Sequence, residues 1–200
     1  MNAEMQPLFW RIRDAESNGT EIVSLLMPSN ADGEPASEFP VDVSFQSRRS
    51  NRHAVDIRWS DDDSDLFLSL LDRISDDDDG EEEGITLDIN DGVVQGIVQL
   101  VALARFKTPW PSDDIVGEDF ITEREEFEIG DLVALNTRYG FVMAIVVGMD
   151  SIDMTCILLE SIQDGEECLV PDHSVLIVNR AYALSPAFAD SDTGEGAIIH

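Results

Sequence analysis

Carboxylates are the most abundant chemically active groups in this chain, which has 25 Asp and 17 Glu against 11 Arg and a single Lys, Lys107. Carboxylates can act as general acids and bases, hold divalent cations or face a basic partner. Because they occur along the whole chain, no single pair indicates acid–base catalysis. What has to be explained is the formal net charge of −30 and the clustering of the acids.

Three explanations of this charge compete. High-salt adaptation produces acidic, Lys-poor surfaces, but here the acids are clustered and Ile, Phe and Ser are plentiful. A solvated acidic face without a special role is the second explanation. The third is an anionic surface that steers association with a cationic protein. The same charge disfavours direct binding to nucleic-acid phosphates or to an anionic membrane, because both need Lys and Arg.

The candidate partner-binding carboxylates lie in three places: the start of a predicted helix, the run that follows this helix, and a later acidic segment. The run from position 76 to position 83 has seven carboxylates in eight residues. The full set is Asp61, Asp62, Asp63, Asp65, Asp76, Asp77, Asp78, Asp79, Glu81, Glu82, Glu83, Asp113, Asp114, Glu118 and Asp119.

The sequence lacks the residue patterns that other kinds of catalysis need. The three histidines are His53, His173 and His200, and only His173, in the turn sequence PDHS, has polar neighbours that could assist it. The chain has neither a P-loop nor a GxGxxG motif. The sequence therefore predicts a protein that is not an enzyme and that has no cofactor.

A metal site is not expected either. The stretch from Asp190 begins like an EF-hand loop, but Glu195 stands where the loop needs Gly. Cys156 and Cys168 show no zinc-ligand spacing, so we expect two reduced core thiols in a cytoplasmic protein. The N-terminus has no basic segment followed by an apolar one, and no apolar stretch is long enough to span a membrane.

Alternating apolar residues predict the elements that position these acids in the first half of the chain. Residues 7–15 and 21–28 are predicted strands, and a second pair follows around Val41–Phe45 and Val55–Trp59. The linking stretch between the second pair carries a basic cluster, Arg48, Arg49, Arg52 and His53, with Arg58 close by. This cluster either pairs with the nearby acids or forms a local anion site.

A helix is predicted over residues 61–75. Ser60 is a suitable N-cap, Asp63 can complete a capping box, and Asp61 to Asp63 lie where the helix dipole favours negative charge. The apolar residues of this helix form one face: Leu66, Phe67, Leu70, Leu71 and Ile74. A short strand is predicted at Ile85–Ile89, and residues 93–106 suit either a helix or a strand.

The pattern of apolar residues in the second half of the chain differs from that in the first half. Residues 127–180 alternate about five short apolar runs with turn signals, and the pattern IGDLVAL…GFVMAIVVG is similar to small SH3-like barrels. The resemblance covers about 50 residues of the chain and implies a fold only. The predicted class is α+β: an N-terminal antiparallel sheet with one or two packed helices, then a small SH3-like antiparallel β-barrel. The predicted parts are a domain at 1–110, an acidic linker at 111–126, the barrel at 127–182 and a flexible tail at 183–200.

These features favour a non-enzymatic interaction protein that binds a basic partner. Spaced carboxylates on a rigid scaffold can imitate the phosphate charge of a duplex, and the composition resembles that of phage- or plasmid-type inhibitors of nucleic-acid-binding or defence proteins. The alternatives are a structural or assembly component of a larger particle, or a salt-adapted globular protein with an unrecognised enzymatic or ligand site.

Overall fold

The computed structural model describes residues 7–15, 20–27, 37–46, 54–75, 89–112, 114–117 and 126–187. The chain divides into two units, Met1–Lys107 and Thr108–His200. The overall class is α+β, as predicted, with two α-helices and mostly antiparallel sheets in the described residues.

A four-stranded antiparallel sheet forms the base of the first unit. Its strands are β1 (Phe9–Asp14), β2 (Thr20–Met27), β3 (Ser37–Gln46) and β4 (Val55–Arg58), in the spatial order β3-β2-β1-β4. These are the four strands expected in this part of the chain. β1 and β2 pair with each other, but β3 and β4 lie at opposite edges of the sheet, so the second predicted pair does not form. Alternation buries one face of the sheet because successive side chains point to opposite sides. The buried residues on that face include Trp10, Val23, Leu25, Val41 and Val43.

An irregularity in β3 is stabilised by a helix residue. The register between β2 and β3 shifts after Ile22, which pairs with Ser44, so that Ser24 pairs with Pro40. Asp42 lies inside this bulge, where the ladder does not supply its backbone partners. The side-chain amide of Gln99 accepts from Asp42 N at 2.8 Å and donates to Asp42 O at 2.9 Å. One glutamine therefore replaces both missing backbone hydrogen bonds.

Two helices complete the first unit: α1 (Asp61–Ser75) and α2 (Gly92–Phe106). The prediction of a helix over 61–75 is confirmed, and the open question over 93–106 is resolved as a helix. Asp91 starts α2 by accepting a hydrogen bond from Val93 N at 2.7 Å. The β-branched residues of α2 are tolerated because packing outweighs intrinsic propensity, and its buried residues include Val94, Ile97, Val98 and Val101. Most of the strand expected at residues 85–89 lies outside the described residues, and Ile89 lies in a turn.

The second unit is built on a five-stranded antiparallel sheet and a separate hairpin. The strands are β5 (Leu132–Thr137), β6 (Gly140–Met149), β7 (Asp153–Leu158), β8 (Ile162–Asp164), β9 (Glu167–Val170), β10 (Val175–Asn179) and β11 (Ala183–Leu184). The five-stranded order is β10-β7-β6-β5-β11, and β8 pairs only with β9. One face of the larger sheet contributes most of an apolar core that also includes Ile115, Phe127, Ile162 and Val170.

The expected SH3-like barrel is not confirmed. Among the described residues, no sheet closes into a barrel, since β10 and β11 lie at opposite edges of the five-stranded sheet. The open side of β10 is occupied instead by the segment at Trp110, whose backbone N–H donates to Val175 O at 2.7 Å. Closing the sheet through β10 would require displacing this segment.

The described part of the predicted linker packs on the second unit. Ile115 is buried in the core of that unit, and Val116 forms a β-bridge with Thr137. At the other end, β11 takes up the first residues of the predicted tail and pairs with β5. Both segments are therefore held by backbone hydrogen bonds where they are described.

Candidate interaction surface

The exposed side of α1 carries carboxylates in a line. Asp61, Asp65 and Asp72 lie at positions i, i+4 and i+11 of the helix, with Leu68 between the second and the third, and all four are exposed. A rise of about 1.5 Å per residue spaces Asp61 and Asp65 about 6 Å apart along the axis. Asp62 is also exposed in the first turn. None of these carboxylates forms an ion pair with another described residue.

Asp63 differs from the other predicted partner-binding residues because it is buried, with 4% of its surface exposed. The expected capping box is present: Asp63 N donates to Ser60 Oγ at 3.2 Å, and Ser60 N donates to Asp63 Oδ2 at 2.9 Å. The same oxygen accepts from Trp10 Nε1 at 3.3 Å, and Arg105 Nε lies 4.0 Å from Oδ1. The assignment of Asp63 to the exposed surface is therefore corrected, since its side chain holds the start of α1 against the core.

The environment of Asp63 is an aromatic cluster. Trp10 stacks on Trp59 with ring centroids 5.1 Å apart and meets the edge of Phe106 at 5.7 Å. Trp59 also contacts Phe67 of α1 at 5.8 Å. Contacts of this kind fix ring positions, so the carboxylate of Asp63 lies against a rigid apolar surface.

The outer face of the first sheet pairs its cations with acids. Arg11 makes two hydrogen bonds of 2.7 Å to Asp56, and both Arg11 and Arg13 contact Glu38. The hydrogen bond from Arg11 is the main cause that lowers the pKa of Asp56, and Asp56 in turn raises the pKa of Arg11. Arg11 and Arg13 are therefore already engaged by acids of their own sheet.

A second group of exposed acids lies in the second unit. The hairpin of β8 and β9 presents Asp164, Glu166 and Glu167, all exposed, around Gly165, whose φ of 62° suits the tight turn. None of these three forms an ion pair with another described residue. The sequence signal for this group is the acidic stretch QDGEE at residues 163–167. Glu160 and Asp172 are exposed as well.

Only one of the remaining predicted carboxylates lies within the described residues. Asp114 is exposed in a turn that Ile115 N closes with Ser112 O. The others lie outside the described residues: Asp76, Asp77, Asp78, Asp79, Glu81, Glu82, Glu83, Asp113, Glu118 and Asp119. Most of the basic cluster also falls outside, while Arg58 is exposed at the end of β4. Of the predicted partner-binding residues, Asp61, Asp62 and Asp65 thus lie together on one helix. The densest acidic run, at positions 76–83, lies outside the described residues.

The polar turn at His173 does not form a catalytic arrangement in the described structure. His173 Nδ1 lies 3.8 Å from Asp172 Oδ2, and both side chains are more than half exposed. The residue has a φ of 57°, and its backbone N–H donates to Leu158 O. These features are those of a turn residue that precedes a strand.

The two cysteines have different surroundings. Cys156 is buried, and burial raises its pKa to about 12. Cys168 is exposed on β9, so the expectation of two core thiols is wrong for this residue. Within the described ranges, no group of three or more His, Cys, Asp or Glu is placed to hold a metal ion.

Comparison with known proteins gives no family for this chain, so its function has to be argued from the chemistry of its surface. No protein-family model matches the chain. No curated protein matches it either. Of the helices that the structure describes, neither has the length and apolar character needed to cross a membrane.

Proposed function

We propose that this chain is a non-enzymatic acidic interaction protein that binds a basic surface of a partner protein. The observation that carries the proposal is the imbalance of charge at the described surface. Arginines of the first unit form ion pairs with Glu38, Asp56 and the buried Asp63, whereas the exposed carboxylates of α1 and of the β8–β9 hairpin have no ion-pair partner among the described residues.

Unneutralised carboxylates favour a cationic partner in two ways. They raise the rate of encounter through the long-range field, and they form charge-assisted hydrogen bonds after docking. The field falls off over about 8 Å at physiological salt, so binding of this kind weakens steeply as salt rises. Salt sensitivity is therefore the first property expected of the complex.

In the more specific form of the proposal, the partner is a protein that binds nucleic acid through a basic groove, and this chain occupies the groove. Two features support this form. The carboxylates of α1 are carried by a capped helix that is packed through Phe67 and Leu70, so their spacing is rigid. The seven carboxylates of residues 76–83 follow the same helix in the sequence.

The test is a pull-down on the immobilised full chain at low and high salt, after nuclease treatment of the lysate. The decisive variant converts Asp76–Asp79 to Asn and Glu81–Glu83 to Gln. The control variant removes seven charges that the proposal does not use, again four Asp and three Glu: Asp32→Asn, Asp42→Asn, Asp190→Asn, Asp192→Asn, Glu4→Gln, Glu16→Gln and Glu34→Gln. We expect a nucleic-acid-binding protein to be retained by the wild type and the control variant at low salt and lost from the decisive variant.

Two outcomes contradict the proposal. One is that no protein is retained at low salt. The other is that the retained protein binds the wild type and both variants equally, which would show that the acids do not form the contact. A retained protein whose binding is released by nucleic acid supports the more specific form, because the acids and the phosphates then compete for one groove.

A further inference from the structure

The hairpin of β8 and β9 has a strand edge to which no other described strand is paired. Among the described residues, β8 pairs only with β9, and neither strand joins the five-stranded sheet. An unpaired edge can accept a further strand, so proteins usually cover such edges or keep them short. The edge of β10 is covered in this way, because the segment at Trp110 forms a β-bridge with it.

The turn of the hairpin determines which backbone groups point outwards. Gly165 is the first of the two residues between the strands, and its φ of 62° is what a type II′ turn needs at this position. Asp164 pairs with Glu167 directly beside the turn, and Gln163 pairs with Cys168 one step further away. Hydrogen-bonded and non-hydrogen-bonded pairs alternate along a hairpin, and the pair beside a two-residue turn is the hydrogen-bonded one. The backbone N–H and C=O of Cys168 therefore point away from β8.

This edge is held in place by the base of the hairpin. Ile162 and Val170 are fully buried in the core of the second unit, and Leu169 packs against the same core. Cys168 itself is exposed, and outside its pairing with β8 it makes no hydrogen bond to another described residue. An edge that is already ordered loses little conformational entropy when a strand is added to it.

Carboxylates surround the outward-pointing backbone of Cys168. Glu167 precedes it on β9, Glu166 lies in the turn, and Asp164 lies across the hairpin from Glu167. All three acids are exposed, and none forms an ion pair with another described residue. Side chains that lie opposite each other on neighbouring strands interact, and opposite charges are favourable there. A strand beside β9 is therefore favoured when it places a cation next to Glu167.

The charge determines which strand fits this edge. A second copy of this chain would bring another formal charge of −30 and would be repelled. We infer that a short extended segment of the basic partner adds to the outer edge of β9, hydrogen-bonded to the backbone of Cys168 and with Lys or Arg beside Glu167. In strand addition the main-chain hydrogen bonds give affinity and the alternate side chains give specificity. The inference rests on the proposed function and adds the conformation in which part of the partner is bound.

Disulfide exchange at Cys168 tests this inference on the full chain. The probe is the peptide Lys-Lys-Thr-Val-Thr-Val-Thr-Lys-Lys, in which each central position in turn is replaced by Cys and activated as a mixed disulfide with thionitrobenzoate. The thiolate of Cys168 attacks the peptide sulfur, a protein–peptide disulfide forms, and thionitrobenzoate leaves and is followed by its absorbance. Cys156 does not interfere, because burial raises its pKa to about 12. Anisotropy of a terminal label measures the binding of the parent peptide.

The matched control moves the thiol to the other strand of the hairpin. Gln163→Cys combined with Cys168→Ser places it directly opposite its native position, on the same face of the hairpin. Both positions are exposed, so neither substitution disturbs the core. A strand that adds to β9 lies one strand further from the thiol of the control variant, about 4.8 Å more.

The side chains of an added strand alternate between two faces. We therefore expect exchange with Cys168 to be about tenfold faster at every second peptide position than at the positions between, and the control variant to react slowly at all of them. Equal rates at all peptide positions would overturn the inference, and so would an equally strong alternation in the control variant. Salt-sensitive binding of the parent peptide without alternation would leave the proposed function intact. If the parent peptide does not bind at low salt, both proposals fail.

Discussion

Replacing Asp63 with Ala should destabilise the protein far more than replacing its neighbour Asp62. The substitution removes the acceptor of Trp10 Nε1 and of Ser60 N. Trp10 is fully buried, so its N–H would lose its partner where water cannot replace it, at a cost of about 1–3 kcal/mol. Loss of the capping box adds about 1 kcal/mol. The expected loss in the free energy of unfolding is therefore about 2–4 kcal/mol.

Asp62→Ala is the control for charge and for the helix dipole. Asp62 lies in the same turn of α1 and is exposed, so its removal changes the net charge equally and costs at most about 1 kcal/mol. The assay is urea unfolding followed by tryptophan fluorescence and by far-ultraviolet circular dichroism. Asp63→Asn should recover part of the loss, since its amide oxygen can still accept a hydrogen bond. The reasoning is refuted if Asp63→Ala and Asp62→Ala have the same unfolding free energy.

Three further predictions concern separate contacts. Gln99→Ala should lower the free energy of unfolding by about 1 kcal/mol, because both backbone groups of Asp42 lose their partner, and urea unfolding measures this loss. The carboxyl of Asp56 should titrate below its ordinary pKa of 3.8, and Arg11→Gln should raise the midpoint seen by NMR. Because the folded pKa is lowered, the Arg11–Asp56 contribution to stability is present above pH about 4 and is lost as pH falls through the folded pKa. Iodoacetamide at pH about 8 should modify Cys168 in the native protein and Cys156 only after unfolding, as measured by peptide mass spectrometry, since burial suppresses the Cys156 thiolate.

Local rules predicted the elements of the first unit well. The bounds of α1 and its capping box follow from Ser60, Asp63 and the apolar face, which are all encoded within one short stretch. The helix over 92–106 was ambiguous, because Val and Ile suit a strand unless burial of the helix compensates. The burial of Asp63 could have been predicted, since it lies four residues before Phe67 and seven before Leu70, on the buried side of α1.

Long-range pairing was harder to predict. The short apolar runs of the second unit do form strands, but their number and order depend on which edges meet. Nothing local indicates that the segment at Trp110 occupies the edge of β10. The exposed acids of α1 were predicted from composition, and their lack of ion-pair partners among the described residues required coordinates.

The most direct test of the central claim is the salt dependence of the affinity for the retained partner. The dissociation constant is measured for the wild type and for the variant with Asp76–Asp79→Asn and Glu81–Glu83→Gln, over salt from about 50 to 200 mM. The account predicts that the wild type binds more weakly as salt rises and that the variant binds weakly with a shallower salt dependence. Equal affinity and equal slope for the two proteins would contradict it.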